Sequence, residues 1–337
     1  TIVIYNGHFQ KKLSSIPNGI KLLNSDEYIK RKKGKFITAN NSPFDLFNTA
    51  FTDIGISLIV ENNTKINTPV RILFISDGEK SIMTNPRVNL DIAESSSLVF
   101  IEHHVGNAKS FFENKSVFIT LENNACLNHI CIKSNSQFTQ NIDNLNVKQL
   151  SNSKYNYSQF INGGKLVRNN IMIDLEKPNA NCNVNCLALS SDNEHFDNNF
   201  IVNHNSHQTH STQFVKSILF GSSSGVFNGR SVVKENAQQI TAFQSNKNLL
   251  LSNTARMNSN PQLEIYADDV KCSHASTTGK IDENALFYLQ SRGINKKDAV
   301  ELMVTGFAKE ILNNIPYPNI KMNIESNFTK KLERLMA

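Results

Sequence analysis

The chain has 337 residues, of which 39% are hydrophobic and 19% charged, and its formal net charge is +6. This length allows a large core, while no window approaches the roughly 18 to 20 apolar residues of a membrane-spanning helix, so we expect no membrane insertion. The densest basic run, at residues 30–33 and 35, has no interleaved aromatic residues. It therefore predicts a solvated loop, and we expect no nucleic-acid partner.

The cysteines and the N-terminus bear on the compartment. Five cysteines without the spacing of a disulfide framework indicate reducing conditions. The first ten residues lack the basic-then-apolar pattern of a signal peptide. We expect a cytoplasmic location, or an organelle stroma or matrix if a transit segment has been removed.

Residues 1–54 predict a small mixed N-terminal cap. Ile2–Tyr5 can form a short strand, and Gly7 can form a turn. Pro43–Phe51 has the spacing of a short amphipathic helix with phenylalanines on one side. These phenylalanines are Phe44, Phe47 and Phe51.

From about residue 55 an internal repeat begins, in which an apolar strand ends at an acidic residue followed by small polar residues. The repeated acidic residues are Glu61, Glu94, Glu122, Glu176 and Glu235. Weaker turn-like matches near residues 150–153 and 204–206 divide the two longest gaps, which gives a period of roughly 28 to 30 residues. Apolar and polar residues alternate within the units, and no helix separates them, so the choice is between a sandwich and a β-solenoid. The repeat favours a solenoid over residues 55–278.

Residues 279–337 predict a C-terminal helical domain. Asp282 can cap a first helix that ends near Arg292, with Gly293 after it, and Asn295 can cap a second helix. A third helix is predicted from about Lys321. The exposed faces of these helices are candidate docking surfaces for another chain.

Several motifs have a structural explanation. Cys182 and Cys186 share one face of a predicted strand and suit a narrow core. The histidine cluster predicts a polar turn, and its members are His204, His207 and His210. The run at residues 221–225 lacks the lysine of a phosphate-binding loop and predicts a turn. At most one of His103 and His104 faces the core, because they are adjacent on a strand.

Two motifs near residue 270 carry chemistry. Asp268 and Asp269 interrupt a predicted strand as a bulge would, and an acidic pair on a solenoid could bind Ca2+ in a carbohydrate-active enzyme. Cys272 and His274 lie two positions apart, so a strand projects them from one face with Cα atoms about 6.6 Å apart. Thiolate and imidazole are both iron ligands. Two ligands do not fill a cluster site, so a functional pair would be completed by a partner.

The stretch PQLEIYADDVKCSH, followed by TTGKIDENALFYLQSRGI, resembles the signature of the SufB/SufD family of iron–sulfur cluster scaffold proteins, and most resembles its SufD branch. The resemblance covers residues 60–312. Residues 275–277 depart from the family's usual Gly-Ala-Thr, although both candidate ligands remain.

The resemblance implies a mainly β fold, a right-handed parallel β-helix with flanking helical regions. It also implies partners: a SufB-like subunit bound through the β-helix, and the ATPase SufC bound through the C-terminal helices. Cys272 and His274 then become cofactor-binding and metal-binding candidates, as transient iron or cluster ligands shared with the partner.

Three hypotheses follow. The leading one is a non-enzymatic SufD-like scaffold subunit that supports iron acquisition and cluster assembly, with no tightly bound cofactor in the isolated chain, which could form a homodimer. The second is a β-helix carbohydrate-active enzyme that uses Asp268 and Asp269. The third is a purely structural partner of SufB in which Cys272 and His274 merely pack.

Overall fold

The computed structural model describes residues 1–32, 42–52 and 55–336, and these form two facing β-sheets with five α-helices. The strands are β1 (Ile2–Tyr5), β2 (His8–Phe9), β3 (Ile20–Asn24), β4 (Gly55–Val60), β5 (Val70–Ser76), β6 (Ile82–Thr84), β7 (Arg87–Ile92), β8 (Ser97–Gly106), β9 (Phe111–Leu121), β10 (Cys126–Ser134), β11 (Thr139–Gln149), β12 (Lys154–Ile161), β13 (Leu166–Leu175), β14 (Asn181–Ser190), β15 (His195–His204), β16 (His210–Leu219), β17 (Ser224–Val233), β18 (Ile240–Leu250), β19 (Arg256–Ile265) and β20 (Val270–Gly279). The helices are α1 (Ser25–Arg31), α2 (Pro43–Phe51), α3 (Glu283–Ser291), α4 (Lys296–Leu312) and α5 (Pro318–Met336).

From β7 to β20, successive strands of the chain alternate between two sheets. The first sheet has the order β2-β1-β5-β8-β10-β12-β14-β16-β18-β20. The second has the order β19-β17-β15-β13-β11-β9-β7-β4-β3, with β6 beside β9. Pairing is parallel throughout the stacked coils, so the predicted parallel β-solenoid is confirmed.

The period read from the sequence corresponds to one coil. In the first sheet Cys126 pairs with Lys154, Lys154 with Asn181, and Asn181 with His210, so equivalent residues lie 28, 27 and 29 positions apart. The acidic repeat marks one corner of each coil, where the chain leaves the second sheet. Left-handed backbone recurs there, with φ of 58° at Asn63 and 60° at Asn124. Asparagine tolerates this conformation better than most residues, which explains why it recurs at these corners.

The main core lies between the two sheets and is formed by the inward-facing side chains, at alternate positions along the strands of both sheets. A second core lies on the outer face of the first sheet, where α4 and α5 cover it. Strand residues such as Ile130, Leu187 and Ile218 pack there against Val304 and Phe328 of the helices. The first sheet is therefore buried on both faces in this region, as its nearly continuous apolar runs indicate.

Two buried lysines also fasten the helices to the solenoid. Lys216 on β16 donates to the carbonyl oxygen of Phe307 at 2.8 Å and pairs with Glu310 at 2.7 Å. Lys331 on α5 donates to the carbonyl oxygen of Leu189 and to Glu194, both at 2.8 Å. These contacts hold α4 and α5 at defined positions on the sheet.

The two ends of the solenoid differ. At the N-terminal end, β1 pairs with β5 and β3 pairs with β4, so the predicted cap continues both sheets. The outermost strands there are β2, of two residues, and β3, of five. At the other end β19 and β20 have ten residues each, and each has a neighbour on only one side among the strands described. The division into 1–54, 55–278 and 279–337 stays a prediction.

Several local predictions are confirmed and others are wrong. Asp282 and Asn295 cap their helices, and Gly293 has a φ of 89° after the first of them. The third helix begins at Pro318, three residues before the predicted Lys321. The basic run was expected in a loop, but Lys30 and Arg31 end α1, while residues 33 and 35 lie outside the described part.

The face of α2 also differs from expectation. Its buried residues are Asp45 and Asn48, whereas Phe47 and Phe51 are exposed. The Asn48 amide donates to the carbonyl oxygens of Pro86 and Asn114 at 3.0 and 2.8 Å. These polar contacts, rather than Phe47 and Phe51, attach α2 to the second sheet, while Phe44 is half-buried.

Candidate functional site

Cys272 and His274 lie on β20, the last strand of the first sheet. Cys272 is paired in register with Ala242 and His274 with Gln244. The Cys272 side chain is half-buried and packs against Ala242 and neighbouring apolar residues. His274 is exposed, although its register partner Gln244 is buried. The two side chains therefore share the inward face of β20, and no further coil of the described chain covers this strand.

The surroundings of this pair are polar. The Gln244 amide donates to Gln213 at 3.1 Å, so the layer beneath His274 is a hydrogen-bonded amide pair. Further along β20, the Ser276 hydroxyl lies 2.7 Å from the Ser259 hydroxyl of β19, which bridges the two sheets. The open end thus presents hydroxyl, imidazole and thiol groups.

Burial raises the pKa of the Cys272 thiol, although a hydrogen bond with the Ala242 backbone acts in the opposite direction. The thiol is therefore protonated at neutral pH in the isolated chain. A metal ion or a positive group from a partner would favour the thiolate, because metal binding displaces the thiol proton. The geometry allows Cys272 and His274 to act as two neighbouring soft ligands, with their other coordination partners supplied from outside.

The acidic pair near this site does not form the predicted bulge. Asp268 and Asp269 lie in the exposed turn between β19 and β20, so the change of apolar parity at Val270 marks a corner between sheets. The Asp269 backbone N–H donates to the Gln238 side chain at 2.8 Å. Within the described part of the chain, the cluster of three possible metal ligands lies elsewhere. The acidic pair therefore gives no support to a calcium site.

The structural explanation of the two cysteines is confirmed, whereas the predicted polar turn contains His207 but not His204 or His210, which end β15 and begin β16. Cys182 and Cys186 are buried in the main core. His204 ends β15 and is followed by a turn, and its two ring nitrogens lie 2.7 Å from the Thr209 hydroxyl and 2.9 Å from the Ser211 hydroxyl. Burial lowers the pKa of His204 to about 4, so the ring is neutral. This histidine is a core residue with both nitrogens bonded.

Residues 74–307 match the family model described as "SUF system FeS cluster assembly, SufBD core domain". The chain belongs to the SufBD family. The match extends from β5 to within α4, and it includes Cys272 and His274.

Curated SufBD relatives agree with this assignment. The chain is 30% identical over 279 residues to "Iron-sulfur cluster assembly protein SufD" of Escherichia coli, a match covering 82% of this chain and 66% of the relative. It is 28% identical over 340 residues to a SufBD family protein of Synechocystis, covering 95% and 75%. It is 28% identical over 275 residues to the chloroplastic protein ABCI7 of Arabidopsis thaliana, covering 78% and 58%. The matched part is thus just under two thirds of the first relative's length.

The helices after the SufBD solenoid present exposed apolar side chains. Phe287 and Tyr288 on α3 are 73% and 57% exposed, and Leu302 on α4 is 55% exposed. Only three residues separate Gly279, at the end of β20, from the start of α3. None of the helices in the described residues is long and apolar enough to cross a membrane.

A cluster of buried charges in this SufBD core was not predicted. It lies between the sheets on β8 to β11, and its charged members are Glu102, Glu113, Lys115, Lys133 and Asp143. Lys115 donates to Glu102 and lies 3.4 Å from Asp143, and Lys133 lies 2.6 Å from Asp143. Burial opposes ionisation of Glu102, but Lys115 and two histidines outweigh it and hold the pKa of this carboxyl well below its usual range.

The two histidines are part of the same cluster. His129 Nε2 lies 2.8 Å from Glu102 Oε1, and His129 Nδ1 lies 2.9 Å from the Tyr155 hydroxyl. His104 Nδ1 lies 3.1 Å from Glu113 Oε1. Burial and the neighbouring lysines lower the pKa of His104, but Glu113 acts against them and the net effect raises it to about 9. The sequence signal was available, because Glu102 and His104, like His129 and Lys133, share the inward parity of their strands.

Proposed function

We propose that this chain is a SufD-like, non-enzymatic scaffold subunit that pairs with a SufB-like solenoid and binds a SufC-like ATPase during iron–sulfur cluster assembly. The observation that carries the proposal is the open last coil, on which Cys272 and His274 stand side by side. Family membership and the name of the Escherichia coli relative support the general role.

The free edge of β20 suits pairing with another β-protein. A ten-residue strand with one neighbour leaves a row of backbone N–H and C=O groups without partners in the sheet. Pro261 interrupts the matching row on β19, because proline has no N–H to donate, whereas β20 contains no proline. The free edge of β20, in the first sheet, is therefore better suited to a SufB-like partner than the free edge of β19.

The ligand pair suits transient binding. Cys272 and His274 supply two ligands, fewer than the four of a complete cluster site, so iron or a nascent cluster would be shared with the partner. Iron and sulfide are cargo in this scheme, and the isolated chain holds neither tightly. An isolated chain could also pair with a second copy through the same edge.

The C-terminal helices suit the ATPase. Exposed Phe287, Tyr288 and Leu302 offer apolar contacts of the kind that dominate protein interfaces. The short connection from β20 to α3 would transmit a displacement of the helices to the strand that carries Cys272. A cytoplasmic or stromal location stays a prediction.

The ligand assignment is tested with His274→Ala and Cys272→Ser in a complex reconstituted anaerobically with SufB-like and SufC-like partners. Iron and acid-labile sulfide per complex should fall several-fold in both variants. Ser273→Ala is the matched control, because Ser273 is an exposed neighbour on the opposite face of β20. Unchanged iron and sulfide in His274→Ala would reject the ligand role and leave a purely structural partner of SufB.

Pairing is tested separately with Ser276→Lys, which places a charge on the inward face of the open end. Inward charges on edge strands block strand addition. Binding to the SufB-like partner, measured by native mass spectrometry or calorimetry, should weaken at least tenfold, while Ser273→Lys on the outer face should bind normally. Equal binding by both variants would reject the open end as the interface.

A further inference from the structure

We propose that His104, Cys131 and Asp143 form a binding site for a divalent transition-metal ion of the zinc type inside the solenoid. The site is distinct from Cys272 and His274, since β10 and β20 are five strand spacings apart in the first sheet, about 24 Å. The proposal concerns a resident ion and does not depend on the proposed scaffold role.

The first argument is convergence of ligand atoms. His104 lies on β8, Cys131 on β10 and Asp143 on the facing β11, and one ligand atom from each lies within 4.8 Å of the others. All three residues are buried, with exposed fractions of 1%, 1% and 5%. Imidazole, thiolate and carboxylate are the three ligand types that zinc takes from proteins.

The second argument is the orientation of His104. Its Nδ1 faces Glu113 Oε1 at 3.1 Å, and its Nε2 faces Lys115 Nζ at 3.0 Å. A lysine ammonium can only donate, so when Nε2 carries no proton it presents its lone pair, and Nδ1–H donates to the carboxylate. A carboxylate on the second nitrogen is the usual support of a metal-binding histidine. The ring is further fixed by stacking on Phe74, with centroids 4.4 Å apart.

The third argument is an unused oxygen. Asp143 Oδ2 pairs with Lys115 and Lys133, which fixes the carboxylate. Asp143 Oδ1 is buried and has no hydrogen-bond partner among the described residues. A buried acceptor without a partner destabilises the fold, and an ion ligated by Oδ1 would give this oxygen a partner.

The fourth argument is charge. Three buried carboxylates, of Glu102, Glu113 and Asp143, face two ammonium groups, of Lys115 and Lys133, so one further positive charge makes the cluster neutral. In the metal-free chain a proton on His104, whose pKa is raised to about 9, supplies that charge, although on Nε2 this proton points at the Lys115 ammonium. A dication bound with the Cys131 thiolate would take the place of that proton and keep the cluster neutral. These two explanations make different predictions.

Three protein ligands leave one coordination position of a tetrahedral ion to be filled. Glu102 offers the next oxygen, with its Oε2 3.9 Å from His104 Nε2. Lys115 would then give up its contact with His104 and keep its pairs with the carboxylates. Glu102 is not among the atoms that lie within 4.8 Å of one another, so closing the site would require its side chain to shift.

The test uses Co2+ as a spectroscopic substitute for Zn2+. The Cys272→Ser variant of the chain removes the half-buried thiol at the open end. It is unfolded in urea and refolded anaerobically with Co2+, because the buried site could be slow to load. We expect one equivalent of cobalt with a thiolate-to-cobalt charge-transfer band. Adding Cys131→Ser should abolish the band, whereas adding Cys186→Ser, which changes another buried thiol, should preserve it. Adding Glu113→Gln, which weakens the support of His104, should lower affinity about 10- to 100-fold.

A second measurement does not depend on cobalt spectra. Zn2+ should raise the melting temperature of the refolded Cys272→Ser chain and should not raise that of the Cys131→Ser double variant. Refolded protein with native circular dichroism and no bound metal would overturn the proposal, and so would a charge-transfer band that survives Cys131→Ser. Either result would leave His104 protonation as the source of charge balance.

Discussion

Replacing Lys331 with methionine should weaken the attachment of the helical domain to the solenoid. The Lys331 side chain is only 6% exposed, and its ammonium donates to Leu189 and Glu194 at 2.8 Å each. Methionine keeps much of the apolar stem but leaves the Glu194 carboxylate, 12% exposed, without its cation. Removing one partner of a buried ion pair typically costs about 3 to 5 kcal/mol, so we expect about 3 kcal/mol in urea unfolding. The rate of backbone hydrogen exchange should increase more in α5 than elsewhere in the chain.

A double-mutant cycle separates the ion pair from packing. Glu194→Gln should also destabilise the protein, and the Lys331→Met, Glu194→Gln double variant should lose about 2 kcal/mol less than the sum of the single losses. Lys330→Met is the matched control, because Lys330 is the exposed neighbour on the same helix, and it should change stability by less than about 0.5 kcal/mol. Additive losses, or a large loss in the control, would refute the assignment.

Three further predictions concern other buried groups. The pKa of His204 is lowered from 6.5 to about 4 in the folded chain, so the unfolded state takes up the proton first, and stability should fall by about 3 kcal/mol between pH 6.5 and 4. His204→Gln should remove this dependence of the free energy of unfolding on pH, as measured by urea unfolding at several pH values between 4 and 6.5. An unchanged slope in the variant would contradict the prediction. Gly106→Ala should destabilise or prevent folding, because its φ is 151° and a Cβ there would overlap the Ser76 backbone; a melting temperature equal to that of the native chain would exclude this. Iodoacetamide should label the half-buried Cys272 in the native state. It should not label the buried Cys186, because burial raises the pKa of this thiol to about 12. Mass spectrometry of the labelled peptides measures both reactions, and faster labelling of Cys186 than of Cys272 would contradict the prediction.

The solenoid could be predicted because each coil repeats the same local chemistry. Every corner needs a residue that tolerates left-handed backbone, and every strand needs an inward apolar face, so both signals recur at a fixed spacing. Asn124, for example, has the predicted turn position and a φ of 60°. The helix caps Asp282 and Asn295 were predictable for a similar reason, since capping depends on residues within one turn.

The charge cluster and the face of α2 could not be predicted by the same rules. Periodicity assigns apolar residues to the core, but the core contains Glu102 and Lys115 because residues on neighbouring strands neutralise them. The α2 helix buries Asn48 because the amide of this residue donates to the backbone carbonyl oxygens of Pro86 and Asn114. Both arrangements depend on partners distant in sequence, which local patterns do not contain.

The unequal ends of the solenoid limit how large an assembly can grow. At the N-terminal end the outermost strands, β2 and β3, are short and run antiparallel to their neighbours, so they offer little edge for another chain. Among the strands that the structure describes, long free edges occur only at the end formed by β19 and β20. Two solenoids that pair through such edges would each use the one end that has long free strands, so no further copy could be added. The fold therefore favours a closed pair over a fibre, although stacked parallel strands are the geometry from which fibres grow.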